Sequence, residues 1–357
     1  MSVILRNIQI PLFIKIEPGS LGRIRKLLDE HHLNFQKPLI LSEENILIAG
    51  GNNVVHALGD PATILLNENS IAEGDRIAEE IQEKGNDVMI SIGGGRVLDL
   101  GKYAATKAQV NYISIPTSPS NDGICSPIAV LTDDEGKTKS LGVNMPIGIL
   151  VDTTMLQSAP HANVRAGIGD LVSNFSSIAD WRLAYEDGKS SMDDFAASLA
   201  YSGAQLIFET CKGTTVDLKD EQFLEKLVHG LILGGIAMNI AGSSRPCSGA
   251  EHEISHAIDQ LYPKTSMHGL QVAFGALLAS FLREEEMGDL VDFFKSVKLP
   301  ISHTELGLTD EQLVEVILRA PETRTDRYTI LEKMKLSKKD AENIVAEYNK
   351  YIEQFNG

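Results

Sequence analysis

The sequence predicts an α/β N-terminal domain built on a parallel sheet, followed by an all-α C-terminal domain. Short apolar, β-rich runs alternate with helical periods in the first half, whereas the second half has long amphipathic stretches and almost no strand signal. The chain has 357 residues, 43% of them hydrophobic, which suffices for two domains with a sizeable core. We place the domains at residues 1–158 and 159–357, with Pro160 in the connection.

The order of strands and helices in the first half explains why its sheet should be parallel. Segments 20–32, 69–85 and 96–108 have helical spacing, and Ser20 and Ser70 are candidate N-caps. Strand–helix–strand order with continuously apolar strands favours a Rossmann-like sheet covered on both faces, which binds ligands at the carboxyl ends of its strands. The expected strands cover residues 38–42, 62–67, 87–93, 110–116 and 148–153.

Long amphipathic stretches in the second half, for example residues 193–211, 220–242 and 310–320, predict helices. No internal repeat or low-complexity linker stands out between them. The cleft between the two halves is therefore the default place to expect a ligand.

The charge and the cysteine content limit the binding partners and the cellular compartment that the protein can have. Lys plus Arg total 32 and Asp plus Glu 49, a net charge of −17, so nucleic acid and anionic membranes are poor partners. Cys125, Cys211 and Cys247 are far apart and form no C-x-x-C pair, which favours a reducing compartment. No signal peptide is recognised, and the longest apolar runs, 231–241 and 272–282, are too short to span a bilayer. We expect a cytoplasmic protein without an integral membrane segment.

A run of three glycines, Gly93 to Gly95, joins a predicted strand to a predicted helix. Glycine lets a backbone approach a pyrophosphate closely, and the helix directs its N-terminal amides at the anion. Leu98 stands where the third glycine of G-x-G-x-x-G belongs, so a plain strand-to-helix turn is the alternative. Arg96 could add positive charge toward a phosphate or simply face solvent.

The loop after the next strand, residues 116–127, should line the same crevice, because neighbouring parallel strands end at one edge of the sheet. Its hydroxyls can contact a nucleotide, and Asp122 can accept hydrogen bonds from a substrate hydroxyl. Pro, Ser, Asn, Asp and Gly are also ordinary turn residues, so the loop composition alone does not establish a binding role.

Three histidines in residues 241–275 indicate a metal site. His252 and His256 are four apart and share one helix face, and His268 immediately precedes Gly269. Imidazole is a preferred ligand of zinc and its first-row neighbours. Two of these histidines, with a carboxylate from elsewhere, could hold a metal and leave a position open for substrate.

The same residues permit two other interpretations. His252 to His256 spells H-E-x-x-H, the zincin signature, in which both histidines bind zinc and Glu253 is the general base. Histidines of a buried helix can also be hydrogen-bonded core residues with no ligand. Asp170, in the segment GIGD, could be the missing carboxylate or a plain charge near a helix start.

Five motifs occur in an order that resembles a known superfamily. They are GGGxxxD, PTSxxxDGxxSP, GIGD, SSRPxSGAEHxxSHAxD and HGxQVAFG, and together they extend over nearly the full length. This order resembles the superfamily of glycerol dehydrogenase, iron-dependent alcohol dehydrogenases and 3-dehydroquinate synthase. Within it the sequence is most similar to the glycerol-1-phosphate dehydrogenase family.

The resemblance implies a dehydroquinate synthase-like fold and an NAD(P)-linked oxidoreductase that interconverts dihydroxyacetone phosphate and sn-glycerol 1-phosphate. It implies that Asp170, His252 and His268 bind one divalent metal, zinc or alternatively nickel, and that His256 lies in the proton path. Asp122 falls on a substrate-contacting position. The positions implied for cofactor contact are Gly93, Gly94, Gly95, Asp99, Thr117, Ser118 and Ser126.

Substrate and nucleotide choice depend on a few charged residues. Arg245 precedes His252 by seven residues and could pair bidentately with a substrate phosphate, or form a loop salt bridge. Glycerol dehydrogenase activity is the nearest alternative, and a zinc peptidase or a metal-stabilised binding protein are more distant ones. Glu43, Glu44 or Glu68 could reject the 2′-phosphate of NADP, which leaves the nucleotide preference open. Apolar helices in the second half suggest a homo-oligomer.

Overall fold

A computed structural model describes residues 8–213 and 216–355. The described chain divides into two compact units: the first contains residues up to Val164 and Leu218–Ile240, and the second contains Arg165–Asp217 and the residues from Ala241 onward. This division differs from the boundary expected at 158/159, chiefly because one long helix of the second half belongs with the first unit. The nucleotide-binding and metal-binding roles given to the two domains stay predictions.

The first unit is built around a six-stranded, wholly parallel sheet with strand order β1-β8-β5-β4-β2-β3. Strands β6 and β7 form a separate antiparallel pair. All five expected strands are present, and the predicted α/β class is confirmed. The strands are β1 Phe13–Ile16, β2 Pro38–Ser42, β3 Ala62–Leu65, β4 Val88–Gly93, β5 Asn111–Pro116, β6 Ile128–Thr132, β7 Thr138–Gly142 and β8 Gly148–Val151.

Helices cover both faces of this sheet and make up the regular structure of the second unit among the residues described. The α-helices are α1 Ile24–Glu30, α2 Glu44–Ile46, α3 Asn52–Ala57, α4 Ile71–Lys84, α5 Gly95–Ala108, α6 Thr153–Gln157, α7 His161–Val172, α8 Asn174–Glu186, α9 Asp194–Cys211, α10 Glu221–Ala241, α11 Ala250–Leu261, α12 His268–Leu282, α13 Gly288–Val297, α14 Asp310–Arg319, α15 Ile330–Met334 and α16 Lys338–Glu353.

The apolar strands are continuous because side chains on both faces are buried. On one face, Leu39 and Met89 pack with the α4 and α5 core, including Ile77. On the other face, Ile40 and Ile90 pack with residues from α1 and α3. Successive strand residues point to opposite faces, so a strand buried on both sides cannot alternate with polar residues.

The two predicted N-caps have different outcomes. The Ser70 hydroxyl accepts a hydrogen bond from the Glu73 backbone amide at 3.1 Å, as an N-cap should. The prediction for Ser20 was wrong, because its hydroxyl instead donates to the Val151 carbonyl at 3.2 Å. Ser20 therefore ties the start of the first helical turn to the end of β8.

Three close helix contacts in the second unit depend on glycine. A Cβ on Gly169 of α7 would lie 2.2 Å from the Gly269 carbonyl oxygen, and one on Gly269 would lie 2.0 Å from that of Ala166. A Cβ on Gly275 of α12 would lie 2.8 Å from the Glu251 backbone. Helices α7, α11 and α12 can approach this closely only without those side chains. Their contact positions the candidate metal site.

Helix α10, Glu221–Ala241, corrects one expectation from the sequence. Its apolar run was expected to be too short to span a bilayer, but the helix has 21 residues. By length and composition it is apolar enough to cross a membrane, and it is the one such helix among the described residues. Most of its apolar window is buried inside the structure. Helices of protein cores are apolar all round and pass the same test.

Candidate functional site

Asp170, His252 and His268 come together from three helices. Asp170 lies near the end of α7, His252 in the first turn of α11, and His268 is the first residue of α12. One ligand atom from each residue lies within 4.8 Å of the other two. The His268 Nε2 is 3.8 Å from an Asp170 carboxylate oxygen, and Asp170 is only 5% exposed. The structure thus brings together the three residues predicted as metal ligands.

A chain of hydrogen bonds orients His268. The Asp259 carboxylate accepts from the Gln271 amide nitrogen at 3.0 Å, which directs the Gln271 oxygen toward Ser255. The Ser255 hydroxyl donates to that oxygen at 2.7 Å and therefore accepts from the His268 Nδ1 at 2.9 Å. Because Nδ1 carries the proton, Nε2 carries the lone pair that a metal needs.

His252 is oriented in a similar way by its neighbour. Its Nδ1 is 3.0 Å from the Glu251 carboxyl oxygen, which also accepts from the Gly249 amide. Burial, the largest cause, holds the pKa of His252 well below its usual value, so this imidazole is neutral at neutral pH. A neutral imidazole with Nδ1 engaged presents Nε2 as a ligand atom.

The donor set fits a divalent transition metal. Two imidazole nitrogens and one carboxylate oxygen are the protein ligands of many catalytic zinc sites, which keep a further position for water or substrate. Hydrogen bonds to the distal atoms of the histidines are also typical of such sites. Asp170, His252 and His268 would hold the metal here.

The H-E-x-x-H interpretation has little support in this geometry. The compact ligand cluster contains His268 and not His256, whose ring centroid is 6.3 Å from that of His252. Glu253 is fully buried, and its carboxyl accepts a hydrogen bond from the Thr329 hydroxyl at 3.0 Å. Burial raises the pKa of Glu253 to about 9, so this carboxyl is protonated at neutral pH and unsuited to act as a general base.

The triple glycine forms a tight turn between β4 and α5. Gly93 ends the strand, Gly94 precedes the helix and Gly95 begins it. A Cβ on Gly93 would lie 2.7 Å from the Val97 side chain, so packing alone accounts for this glycine. A Cβ on Gly94 would meet nothing within 4 Å. There is therefore room for an anion beside Gly94, and the first backbone amides of helix α5 point toward this position.

The third glycine of the nucleotide fingerprint has a counterpart that the sequence pattern did not identify. Leu98 occupies the expected position, but Gly101, one turn later, makes the close helix–strand contact. A Cβ there would lie 1.8 Å from the Ser91 hydroxyl oxygen of β4. Helix α5 can therefore lie closely against the sheet, which is the role of that glycine in the fingerprint.

The loop after β5 is joined to this turn. The Thr117 amide donates to the Gly93 carbonyl at 3.0 Å, and the Ser118 hydroxyl accepts from the Asn163 side chain at 3.0 Å. Asp122 is half-buried at the start of a short 3-10 turn, Asp122–Ile124. Thr117 therefore lies at the glycine turn, whereas the contact of Thr117 and Ser118 with a cofactor stays a prediction.

Asp99 and Ser126 take part in a buried polar cluster around Lys102. The Lys102 ammonium is fully buried, 3.0 Å from the Asp99 carboxylate, and donates to the Ser126 carbonyl at 3.2 Å and hydroxyl at 3.3 Å. Asp99 also accepts from the Val130 amide at 3.1 Å. These contacts give both residues a structural role, beside the cofactor role predicted for them.

The comparisons with known proteins agree with this geometry. The profile of iron-containing alcohol dehydrogenases matches residues 15–160. The chain is 33% identical over 344 residues to the glycerol-1-phosphate dehydrogenase [NAD(P)+] of Methanosphaera stadtmanae, covering 95% of this chain and 97% of that protein. The enzyme of the same name from Archaeoglobus fulgidus is 33% identical over 347 residues, with the same coverage.

The chain belongs to the glycerol-1-phosphate dehydrogenase family. The resemblance noted in the motifs is therefore confirmed.

Solved structures with this fold include more distant proteins. A probable glycerol dehydrogenase from Sinorhizobium meliloti superimposes with a TM-score of 0.76 at 19% identity, covering 97% of this chain and 99% of that one. Glycerol dehydrogenase from Schizosaccharomyces pombe gives a TM-score of 0.76 at 20% identity, covering 98% and 91%. These likenesses support the predicted fold of this family member.

Several charged residues of this glycerol-1-phosphate dehydrogenase family member are paired. Arg96 is largely exposed, and its guanidinium donates to the Glu43 carboxylate at 2.8 Å, so its charge is not directed at the glycine turn alone. Arg245 is half-buried, and its guanidinium donates to the Asp326 carbonyl at 3.5 Å. The structure thus gives Arg245 a loop contact, and its phosphate role stays a prediction.

Inspection of the sequence missed residues that act through neighbours. Ser255 and Gln271 orient His268, and Lys102 holds the loop after β5. The H-x-x-S spacing places Ser255 in the helix of His252 but does not show that it faces His268. Only the packing of α11 against α12 reveals these contacts.

Proposed function

We propose that this protein is a metal-dependent, NAD(P)-linked dehydrogenase that interconverts dihydroxyacetone phosphate and sn-glycerol 1-phosphate. The supporting observation is the Asp170–His252–His268 cluster, in a chain whose relatives, 31–35% identical over most of its length, bear the name glycerol-1-phosphate dehydrogenase. In the reduction, a hydride moves from C4 of the reduced nicotinamide to C2 of the ketone, and the C2 oxygen takes up one proton.

Asp170, His252 and His268 are assigned to hold one divalent metal, zinc or alternatively nickel. When bound, this metal polarises the C2 oxygen and stabilises the negative charge that develops there. The protein's contribution is to hold the two imidazoles in one tautomer, through Ser255 and Glu251, before any ligand arrives. Preorganised donors cost little reorganisation at the moment of reaction.

His256 is assigned to move the proton of the C2 hydroxyl. It lies one helical turn after His252, and burial, the largest cause, holds its pKa well below the usual value. A neutral imidazole can accept the proton when the alcohol is oxidised and return it when the ketone is reduced. Asp122 is assigned to accept a hydrogen bond from a substrate hydroxyl.

The turn from Gly93 to Gly95 and the first amides of α5 are assigned to the nucleotide pyrophosphate. Thr117, Ser118, Asp99 and Ser126 complete the predicted cofactor contacts. Among the glutamates considered for nucleotide choice, Glu43 has the best position. It follows β2 directly, β2 is hydrogen-bonded to β4, and its carboxylate is paired with Arg96 beside the glycine turn.

The experiment that tests this function compares two ketones. Protein loaded with zinc or nickel should oxidise NADH or NADPH with dihydroxyacetone phosphate far better than with dihydroxyacetone. Equal or better use of the unphosphorylated ketone would instead establish a glycerol dehydrogenase. Turnover of neither ketone by the metal-loaded protein would contradict the dehydrogenase proposal. The homo-oligomer and the cytoplasmic location expected from the sequence stay predictions.

A further inference from the structure

Two loops of the second unit bring three arginines around one aspartate. The Arg324 guanidinium contacts the Asp326 carboxylate at 3.2 and 3.4 Å, and the Arg327 Nε is 3.7 Å from the same group. Arg245, from the loop before α11, donates to the Asp326 backbone carbonyl at 3.5 Å. Three arginines thus contact one aspartate residue, two of them through its carboxylate, in a chain whose net charge is −17. We call Arg245, Arg324 and Arg327 the arginine cluster.

The Arg327 side chain is buried and hydrogen-bonded. It is only 8% exposed, one of its terminal nitrogens donates to the Ser248 carbonyl at 3.3 Å, and the other donates to the Ser244 hydroxyl. Its buried Nε makes no hydrogen bond to the residues described. Burial and then the charges of Arg324 and Arg245 lower the pKa of Arg327 to about 10, so it stays protonated at neutral pH.

A buried cation beside two other cations is unfavourable unless an anion offsets it. Asp326 does so only in part, because its side chain is 67% exposed and is shared between Arg324 and Arg327. The carboxyls of Glu253 and Glu332 form hydrogen bonds with the Thr329 hydroxyl, although Glu253 also acts electrostatically on Arg245 and Arg327. The cluster therefore has the charge and the donors for an incoming anion.

The arginine cluster lies close to the candidate metal ligands. Ser248, whose carbonyl accepts from Arg327, lies two residues before the start of α11, the helix that carries His252. The Thr323 hydroxyl, next to Arg324, lies 3.4 Å from the backbone carbonyl oxygen of Glu253, which follows His252. An anion held by the cluster would thus be in the neighbourhood of the metal ligands, as the phosphate of a small three-carbon substrate must be.

We propose that Arg245, Arg324 and Arg327 together bind the phosphate monoester of the substrate and so select phosphorylated ketones. This proposal rests on the proposed function and adds Arg324 and Arg327 to the one arginine predicted from the sequence. Guanidinium groups match phosphate oxygens bidentately, and a site built for a charged group discriminates strongly against an analogue that lacks it. When phosphate binds, Arg324 exchanges its exposed partner Asp326 for the phosphate oxygens.

The test uses the metal-loaded full chain and the variants Arg324→Gln and Arg327→Gln. For each, kcat/KM is measured with dihydroxyacetone phosphate and with dihydroxyacetone, and the ratio of the two values is compared. Loss of one charged hydrogen-bonding group should lower the ratio roughly 10- to 100-fold. Arg319→Gln is the matched control, because Arg319 is 44% exposed and pairs with Glu322, and it should keep the wild-type ratio.

A second measurement does not depend on turnover. Inorganic phosphate should raise the unfolding temperature of the wild type and of Arg319→Gln, and the shift should be smaller in Arg324→Gln. Because Arg324 is largely held by the exposed Asp326, this variant should fold even if Arg327→Gln does not. Inorganic phosphate at increasing concentration is the probe in every case.

The outcomes separate this proposal from the proposed function. If the wild type prefers dihydroxyacetone phosphate but Arg324→Gln keeps the wild-type ratio, the arginine cluster is not the phosphate site and the function stands. If the wild type prefers dihydroxyacetone while phosphate still stabilises it through Arg324, the anion site stands and the proposed substrate is wrong. Equal losses with both ketones would also overturn the phosphate role, since a merely structural arginine affects both.

Discussion

The glycine turn of the first unit and the candidate metal site of the second are held in place by different means. At the turn, backbone geometry and close packing position the residues, as in the contact of Gly101 with Ser91 and of Thr117 with Gly93. At the candidate metal site, side-chain hydrogen bonds such as that of Ser255 to His268 decide the orientation. Removing a side chain of the candidate metal site in the second unit should therefore lower activity. Removing one that packs beside the glycine turn in the first unit should mainly lower the free energy of unfolding.

The largest expected effect is loss of a predicted metal ligand. Asp170→Asn or His252→Ala should lower kcat/KM by roughly 10²- to 10³-fold or more, because the charge that develops at C2 loses its main stabilisation. Steady-state oxidation of NADH with dihydroxyacetone phosphate measures this. The exposed His229 on α10 supplies the control, His229→Ala. Near wild-type activity in either ligand variant would show that the cluster is not the catalytic metal site.

Lys102→Met tests the region around the glycine turn in the first unit. The substitution leaves the Asp99 carboxylate and the Ser126 carbonyl without their buried cation, which should lower the free energy of unfolding by about 3–5 kcal/mol. Urea denaturation followed by circular dichroism measures the change. Metal content per folded chain should stay at the wild-type value.

The matched control is Lys107→Met, five residues later on the same helix. Lys107 is 53% exposed and 3.4 Å from Asp75, so its loss should change the free energy of unfolding by about 0.5 kcal/mol or less. If Lys102→Met were as mild as this control, the buried cluster would not hold the loop after β5.

Ser255→Ala should weaken the metal site without removing a ligand. Without the Ser255 hydroxyl, His268 loses the partner of its Nδ1, and metal affinity should fall roughly 10- to 100-fold. Competition with a chelator measures the affinity. Ser202→Ala on α9 removes an exposed hydroxyl bonded within its own helix and should leave the affinity unchanged. An equal metal affinity in both variants would contradict the proposed role of Ser255 in metal binding.

The smallest expected effect concerns nucleotide choice. Glu43→Gln removes the carboxylate beside the glycine turn and frees Arg96, so the ratio of kcat/KM for NADPH over NADH should rise roughly fivefold. Arg96→Gln should lower the same ratio. Glu44→Gln, at the exposed next position, is the control and should not change it. A shift in the control alone would move the nucleotide contact to Glu44.

The sequence predicted the parallel sheet well because its inner strands β2, β4, β5 and β8 are buried on both faces and are continuously apolar. It missed β1, which is only partly buried, and the β6–β7 pair, because β7 is largely exposed and polar. The predicted N-cap at Ser20 does not form, because the Ser20 hydroxyl donates to the Val151 carbonyl in a tertiary contact. Local patterns cannot show such contacts.

For the site, the histidine spacing indicated a metal, but spacing alone could not choose between His256 and His268. The choice came from the resemblance, and the structure explains it through glycines that bring α7, α11 and α12 together. Arg324 and Arg327 were missed because the segment TRTDR resembles an ordinary charged surface loop. Two arginines flanking one aspartate, in a chain poor in basic residues, were the available signal.

The metal content of two purified variants, His268→Ala and His256→Ala, decides which histidines hold the metal. Metal per chain is measured beside the wild type after dialysis against metal-free buffer. We expect His268→Ala to lose the metal, and His256→Ala to keep wild-type stoichiometry while losing turnover. If instead His256→Ala lost the metal and His268→Ala kept it, the H-E-x-x-H interpretation would replace the Asp170–His252–His268 site.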